Sequence, residues 1–77
     1  MNKLDTLLKE VFRAEKSDYS DETEIIQFKE WDSMAHMLLI TKLEEVYNIN
    51  LSGDEIAEMK TVGQIKNTLK MHTVTEI

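Results

Sequence analysis

The residues best placed to do chemistry lie in one short stretch, Asp32-Ser33-Met34-Ala35-His36, where a carboxylate, a hydroxyl and an imidazole fall within about one helical turn. A Ser-His-Asp relay is the first reaction these types bring to mind, because a base beside a serine can take its proton. The spacing argues against it. Asp32 would have to cap a helix and orient the imidazole at once, and no glycine-rich turn supplies an oxyanion hole. Asp18-x-Ser20-x-Glu22 has a calcium-loop flavour, but Thr23 stands where the turn needs glycine and Lys29 where a bidentate glutamate belongs. His36 and His72, with no cysteine in the chain, are too few for a zinc site. His36 shares a helical arc with Leu39 and Leu43 and reads as a partly buried residue at the mouth of a bundle, while His72 reads as a tail residue.

The elements that would position this stretch are helices. Leu4, Leu7, Leu8, Val11 and Phe12 recur at i, i+3, i+4, i+7 and i+8, so one face of a first helix is apolar, with Asn2 as its cap and Arg13 and Lys16 at its C-terminal end. The pattern predicts a helix over residues 3–16. Residues 17–24 are short, polar and acidic and favour no regular element. Ile25, Ile26, Phe28 and Trp31 then bring large apolar groups back, so the second half of this long connection is expected to close over the core.

Asp32 opens a second helix, residues 33–47. Leu39, Leu43, Val46 and Tyr47, flanked by Ile40 and Ala35, form its inward face, whereas Met34, Met37 and Leu38 fall on the opposite side. Those three are left for solvent, a ligand or a partner, or for packing against Trp31 and Phe28. Ser52-Gly53-Asp54-Glu55 fits the S-x-x-E capping box, with Leu51 and Ile56 at the staple positions, and starts a short third helix, residues 53–59. Thr61-Val62-Gly63-Gln64 is a second box and starts a fourth, residues 62–71, which points Val62, Ile65 and Leu69 inward. From His72 to Ile77 no pattern survives. The expectation is an all-α, single-domain four-helix bundle over residues 1–77, with a long first connection and a stubby third helix.

Composition narrows what such a bundle can do. The chain has 77 residues, no Cys, no Pro and two Gly, and its formal net charge is −6. A core of this size supplies only about 3–5 kcal/mol and encloses little besides its own side chains, so a deep enzymatic pocket is not expected. The acidity argues against nucleic acid and anionic membranes as partners, and the longest apolar run, Met37 to Ile40, falls far short of the ~20 residues that span a bilayer. Residues 17–32 hold six acids and one lysine, so −5 of the total sits in the connection leading to Ser33. A cysteine-free chain without a visible leader is expected to be cytoplasmic and monomeric.

Along about Leu4 to Leu69 the sequence resembles the acyl carrier protein family. Trp31-Asp32-Ser33-Met34 is similar to its Asp-Ser-Leu motif, Leu43-Glu44-Glu45-Val46-Tyr47 to its Leu-Glu-Glu-x-Phe, and Thr61-Val62-Gly63 to the Thr-Val-x that opens its last helix. The resemblance implies that Ser33 receives the 4′-phosphopantetheine arm of coenzyme A from a phosphopantetheinyl transferase, and that Asp32 caps the helix and helps dock that enzyme. It further implies a non-catalytic carrier of acyl groups, for fatty-acid-like, polyketide-like or other specialised synthesis. Met34, Met37, Leu38, Glu44 and Glu45 would meet acyl-loading and acyl-processing enzymes through apolar contact and basic patches. Glu30-Trp31 before the motif, Met34 in place of Leu and Leu38 where Glu is common depart from the fatty-acid carriers and point to a dedicated pathway. An aminoacyl, D-alanyl or peptidyl carrier, and an unmodified helical interaction module, remain the competing expectations.

Overall fold

The computed structural model describes residues 3–74. Four α-helices follow one another, α1 (Lys3–Phe12), α2 (Ser33–Tyr47), α3 (Gly53–Glu58) and α4 (Val62–Met71), and the described residues contain no strand. The apolar stripe of α1 is inside: Leu4, Leu7, Leu8, Val11 and Phe12 are buried and meet Leu39, Ile40 and Leu43 of α2 and Val62, Ile65 and Leu69 of α4. Burying each such side chain stabilises the fold by about 1.5–3 kcal/mol. The long connection contributes Ile25 and Phe28 to the same core, with the Phe28 ring stacked on Phe12 at 5.0 Å and meeting Tyr19 edge-on at 5.6 Å.

The first helix is shorter than its sequence pattern. It ends at Phe12, because Arg13 adopts a left-handed conformation (φ 56°) while its N–H still donates to the Lys9 carbonyl at 2.8 Å. The turn buries Ala14 and brings Lys16 and Tyr19 back to Asp5, a carboxylate nearly inaccessible to solvent. Lys16 approaches it at 3.3 Å and the Tyr19 hydroxyl donates to it. Burial pushes the Asp5 carboxyl up, but the Tyr19 hydrogen bond and the Lys16 ammonium outweigh it and leave Asp5 below its ordinary value. Burial, followed by the Asp5 hydrogen bond and charge, pushes the Tyr19 phenol up. Tyr47, half-buried near the same charge, is pushed up to about 12, chiefly by burial. Asn2, the expected cap of α1, lies outside the described residues.

The long connection is also more ordered than its composition implies. Single 3₁₀ turns form at Lys16–Asp18 and Ile25–Gln27, and Glu24 pairs with Thr61 in an isolated antiparallel bridge. There Ile25 N–H donates to the Lys60 carbonyl at 2.8 Å and Val62 N–H to the Thr23 carbonyl at 3.0 Å. Gly63 N–H donates to the Asp21 carbonyl at 2.8 Å, an approach that a Cβ at Gly63 would crowd to 3.0 Å. Lys66 closes the joint on Asp21 at 2.6 Å. The acidic segment is therefore pinned across the α3–α4 junction by backbone pairing that no side-chain pattern encodes.

Three apolar or terminal assignments change. Ile26 is exposed, because the 3₁₀ turn that sends Ile25 inward sends its neighbour out. Val46 is 44% exposed rather than inward, since at 100° per residue it sits at the rim of the arc centred on Leu43. His72 is not a loose tail residue: it caps α4, and its Nε2 lies 2.6 Å from Glu55 Oε2 in α3. Thr73 then takes a left-handed conformation (φ 63°), and Val74 N–H donates to the Leu69 carbonyl at 3.0 Å, a Schellman closure that packs Val74 on the core. α2 closes in the same way through Asn48 (φ 53°) and Ile49 N–H on the Glu44 carbonyl at 3.1 Å. α3 stops at Glu58, with Met59 buried as its cap.

Candidate functional site at the start of the second helix

Asp32 is extended, and its Oδ1 accepts the Ala35 N–H at 2.7 Å while its carbonyl accepts the His36 N–H at 2.9 Å. Those two bonds satisfy the third and fourth amides of α2. Among the described residues, nothing pairs with the Ser33 or Met34 amides or with the Ser33 hydroxyl, and both residues are exposed. A hydroxyl is thus presented to solvent at the positive end of a helix beside two unpaired N–H groups, an arrangement that tolerates a phosphate ester. No base faces it. His36, the candidate partner, is half-buried, and its Nδ1 accepts the Trp31 indole N–H at 3.2 Å, with the two rings edge-on at 6.1 Å.

Beside Ser33 the outward face of α2 is apolar. Met34 is 83% exposed, Met37 64% and Leu38 45%, so neither Trp31 nor Phe28 covers them. Thr41 and Glu45 continue this face at helical spacing, and both are exposed. Glu44 is placed differently: half-buried, its Oε2 accepts the Leu51 N–H at 2.9 Å and so braces the α2–α3 connection. In the acidic connection, Glu22, Glu24 and Glu30 are exposed and, among the described residues, form no ion pair, while Asp21 is engaged by Lys66. No group of three or more His, Asp or Glu among the described residues is arranged to hold a metal ion.

The sequence pattern did not reveal an open groove of about 460 Å³ between the connection, α2 and α3. Its apolar walls are Ile25, Ile26, Ile56, Ala57 and Met59, and His36 lines it one turn along the helix from Ser33. Ile26 was the available signal, a large apolar residue adjacent in sequence to a buried one. A cleft of about 530 Å³ near Arg13, Asp18 and Lys29 is lined more by polar groups and includes no residue of α2. The Trp31–His36 hydrogen bond and the Glu55–His72 contact also escaped the pattern. Among the described residues, no helix is long and apolar enough to cross a membrane.

No protein-family model matches the chain, and no curated protein is found to be its relative.

Proposed function

We propose that the protein is a non-catalytic acyl carrier of the acyl carrier protein type, modified at Ser33 with 4′-phosphopantetheine. The observation that carries the reading is the Ser33 hydroxyl itself, exposed at the N-terminus of α2 with free amides beside it and an apolar, solvent-facing strip running on from it. In the modification, the Ser33 oxygen attacks the pantetheine-side phosphorus of coenzyme A. A P–O bond forms, the anhydride P–O bond breaks, adenosine 3′,5′-bisphosphate leaves, and the serine proton passes to a base on the transferase. When bound, the arm supplies the thiol that holds the acyl group as a thioester.

The chain's own residues have simpler work. Asp32 fixes the first turn so that Ser33 stays outside. The positive end of α2 and the unpaired amides of Ser33 and Met34 favour the phosphodiester charge. Met34, Met37 and Leu38 offer a deformable apolar surface for successive enzymes, while Glu45 and the exposed acids of the connection steer basic patches toward it. Glu44, occupied by Leu51, braces the turn after α2.

The test is intact-mass spectrometry after incubation with coenzyme A, magnesium and a broad-specificity phosphopantetheinyl transferase. Wild type should gain one arm and Ser33→Ala none. An unmodified wild type would reject the reading in favour of an unmodified helical interaction module, and a modified Ser33→Ala would reject Ser33 as the attachment point.

A further inference from the structure

We propose that Trp31 and His36 are positioning residues for Ser33, and that their hydrogen bond makes the presentation of Ser33 dependent on pH. The inference rests on the carrier reading above and concerns the regulation of the same serine. Trp31 directly precedes the Asp32 cap and His36 directly follows the first turn, so the pair brackets the serine from both sides. The acidic connection is pinned at residues 21–25 by the α3–α4 junction, and Phe28 is held in the core. Beyond Phe28, Lys29 and Glu30 are exposed, and two bonds anchor the last step before the cap: Trp31 N–H to the Phe28 carbonyl at 3.0 Å, and the Trp31 indole to His36. The second ties the Trp31 side chain to the body of α2, beside the two bonds that Asp32 accepts from Ala35 and His36.

This tie is chemically one-way. An indole N–H can only donate, so Nδ1 of His36 must be an unprotonated acceptor, and the neutral ring carries its proton on Nε2. A second proton places N–H groups on both ring nitrogens. Two donors then face each other and the bond cannot exist. Of the charged residues, Glu24 from the connection and Lys60 from the α3–α4 junction line the groove with His36, and Asp32, the cap of its own helix, lies one turn before it. Glu24 and Lys60 are opposite in sign, and Asp32 is already committed to the helix amide. Protonation would leave the indole without its acceptor and free the segment that sets the approach to Ser33.

The chain has one tryptophan, so its emission reports this contact directly. Full-length apo protein is titrated from pH 8 to pH 5, with the protonation of the His36 ring nitrogens followed by NMR. Trp31 emission should change in step with protonation of His36. In His36→Asn, which offers an acceptor oxygen near the Nδ1 position but does not titrate, emission should stay flat. In parallel, kcat/KM for arm transfer is measured over the same range and normalised to the transferase's profile on an unrelated peptide acceptor. Wild type should become about threefold to tenfold slower at the acid end, the range expected for loss of one hydrogen bond. His36→Asn should show a flat profile. Trp31→Phe, its fold checked by circular dichroism, should be slow across the range with its pH dependence gone. Coincident pH curves for wild type and His36→Asn, or a Trp31→Phe profile like that of wild type, would overturn the inference while leaving the carrier reading intact. Failure of wild type to accept the arm at pH 8 would overturn the carrier reading, and the positioning role with it.

Discussion

The two faces of α2 carry the same kind of residue to opposite ends. Leu39 and Leu43 are 1% and 0% exposed, while Leu38, next to Leu39 in sequence, is 45% exposed on the same face as Met34 and Met37. A helix in contact with α1 on one side has room for about one apolar stripe, and this one has two. The inward stripe is branched and rigid, leucine with isoleucine, as close packing favours. The outward stripe is rich in methionine, whose flexible thioether adapts to differently shaped contacts. The contrast separates what holds the helices together from what they turn to solvent. On the carrier reading proposed above, Ser33 needs no pocket of its own: the inward stripe fixes the helix, the helix fixes the serine, and the outward stripe begins at the next residue.

The comparison is broken most severely from the inside. Leu43→Ala removes a fully buried side chain at the centre of the core and should cost about 2–5 kcal/mol, an amount that rivals the whole stability of a domain this small. Chemical denaturation should show a greatly lowered midpoint or no native baseline. A loss below about 1 kcal/mol would mean that the inward face is not what holds α2.

A smaller effect belongs to the polar cluster on the inner side. Asp5 titrates below its ordinary value when folded, so the unfolded chain binds its proton more readily. Its contribution is therefore complete above the ordinary carboxylate pKa, about 3.9, and is lost as pH falls through the lower folded value. Asp5→Ala leaves the half-buried Tyr19 hydroxyl without this acceptor and should cost about 1–3 kcal/mol at pH 7. Its denaturation midpoint should fall less steeply than that of wild type on moving below pH 4. Parallel acid profiles would show that Asp5 is a bystander.

What the amino-acid sequence disclosed follows the same division. Three side-chain caps are written locally, and the structure has each of them: Asp32 on Ala35, Ser52 on Glu55, Thr61 on Gln64. The inward stripes of α1 and α4 were legible for the same reason, since periodicity is a local property. The ends of helices closed by left-handed residues were not legible at Arg13 and Thr73, where neither residue type advertises the conformation. Asn48, a residue that tolerates it, gave fair warning. Ordering of residues 21–25 depends on backbone carbonyls of Asp21, Thr23 and Lys60, and carbonyls leave no trace in composition. At the candidate site, the exposed serine, its cap and the outward strip were legible, while the groove and the Trp31–His36 bond were not, because both depend on how a loop closes.

The subtlest test sharpens the comparison rather than breaking it. Leu38→Glu places a charge on the outward stripe, between Met34 and Thr41, where the side chain is already substantially in water. Stability should change by no more than about 0.5 kcal/mol, as for surface substitutions with no packing role. If the carrier reading holds, turnover by an enzyme that grips the holo protein should nevertheless fall, chiefly through faster dissociation, because an apolar contact has been replaced by a charge that must be desolvated on docking. The informative quantity is the ratio of the two effects. A melting temperature that drops with turnover would assign Leu38 to the core and collapse the distinction between the faces, whereas unchanged turnover at unchanged stability would show that partners approach Ser33 from the side of the connection instead.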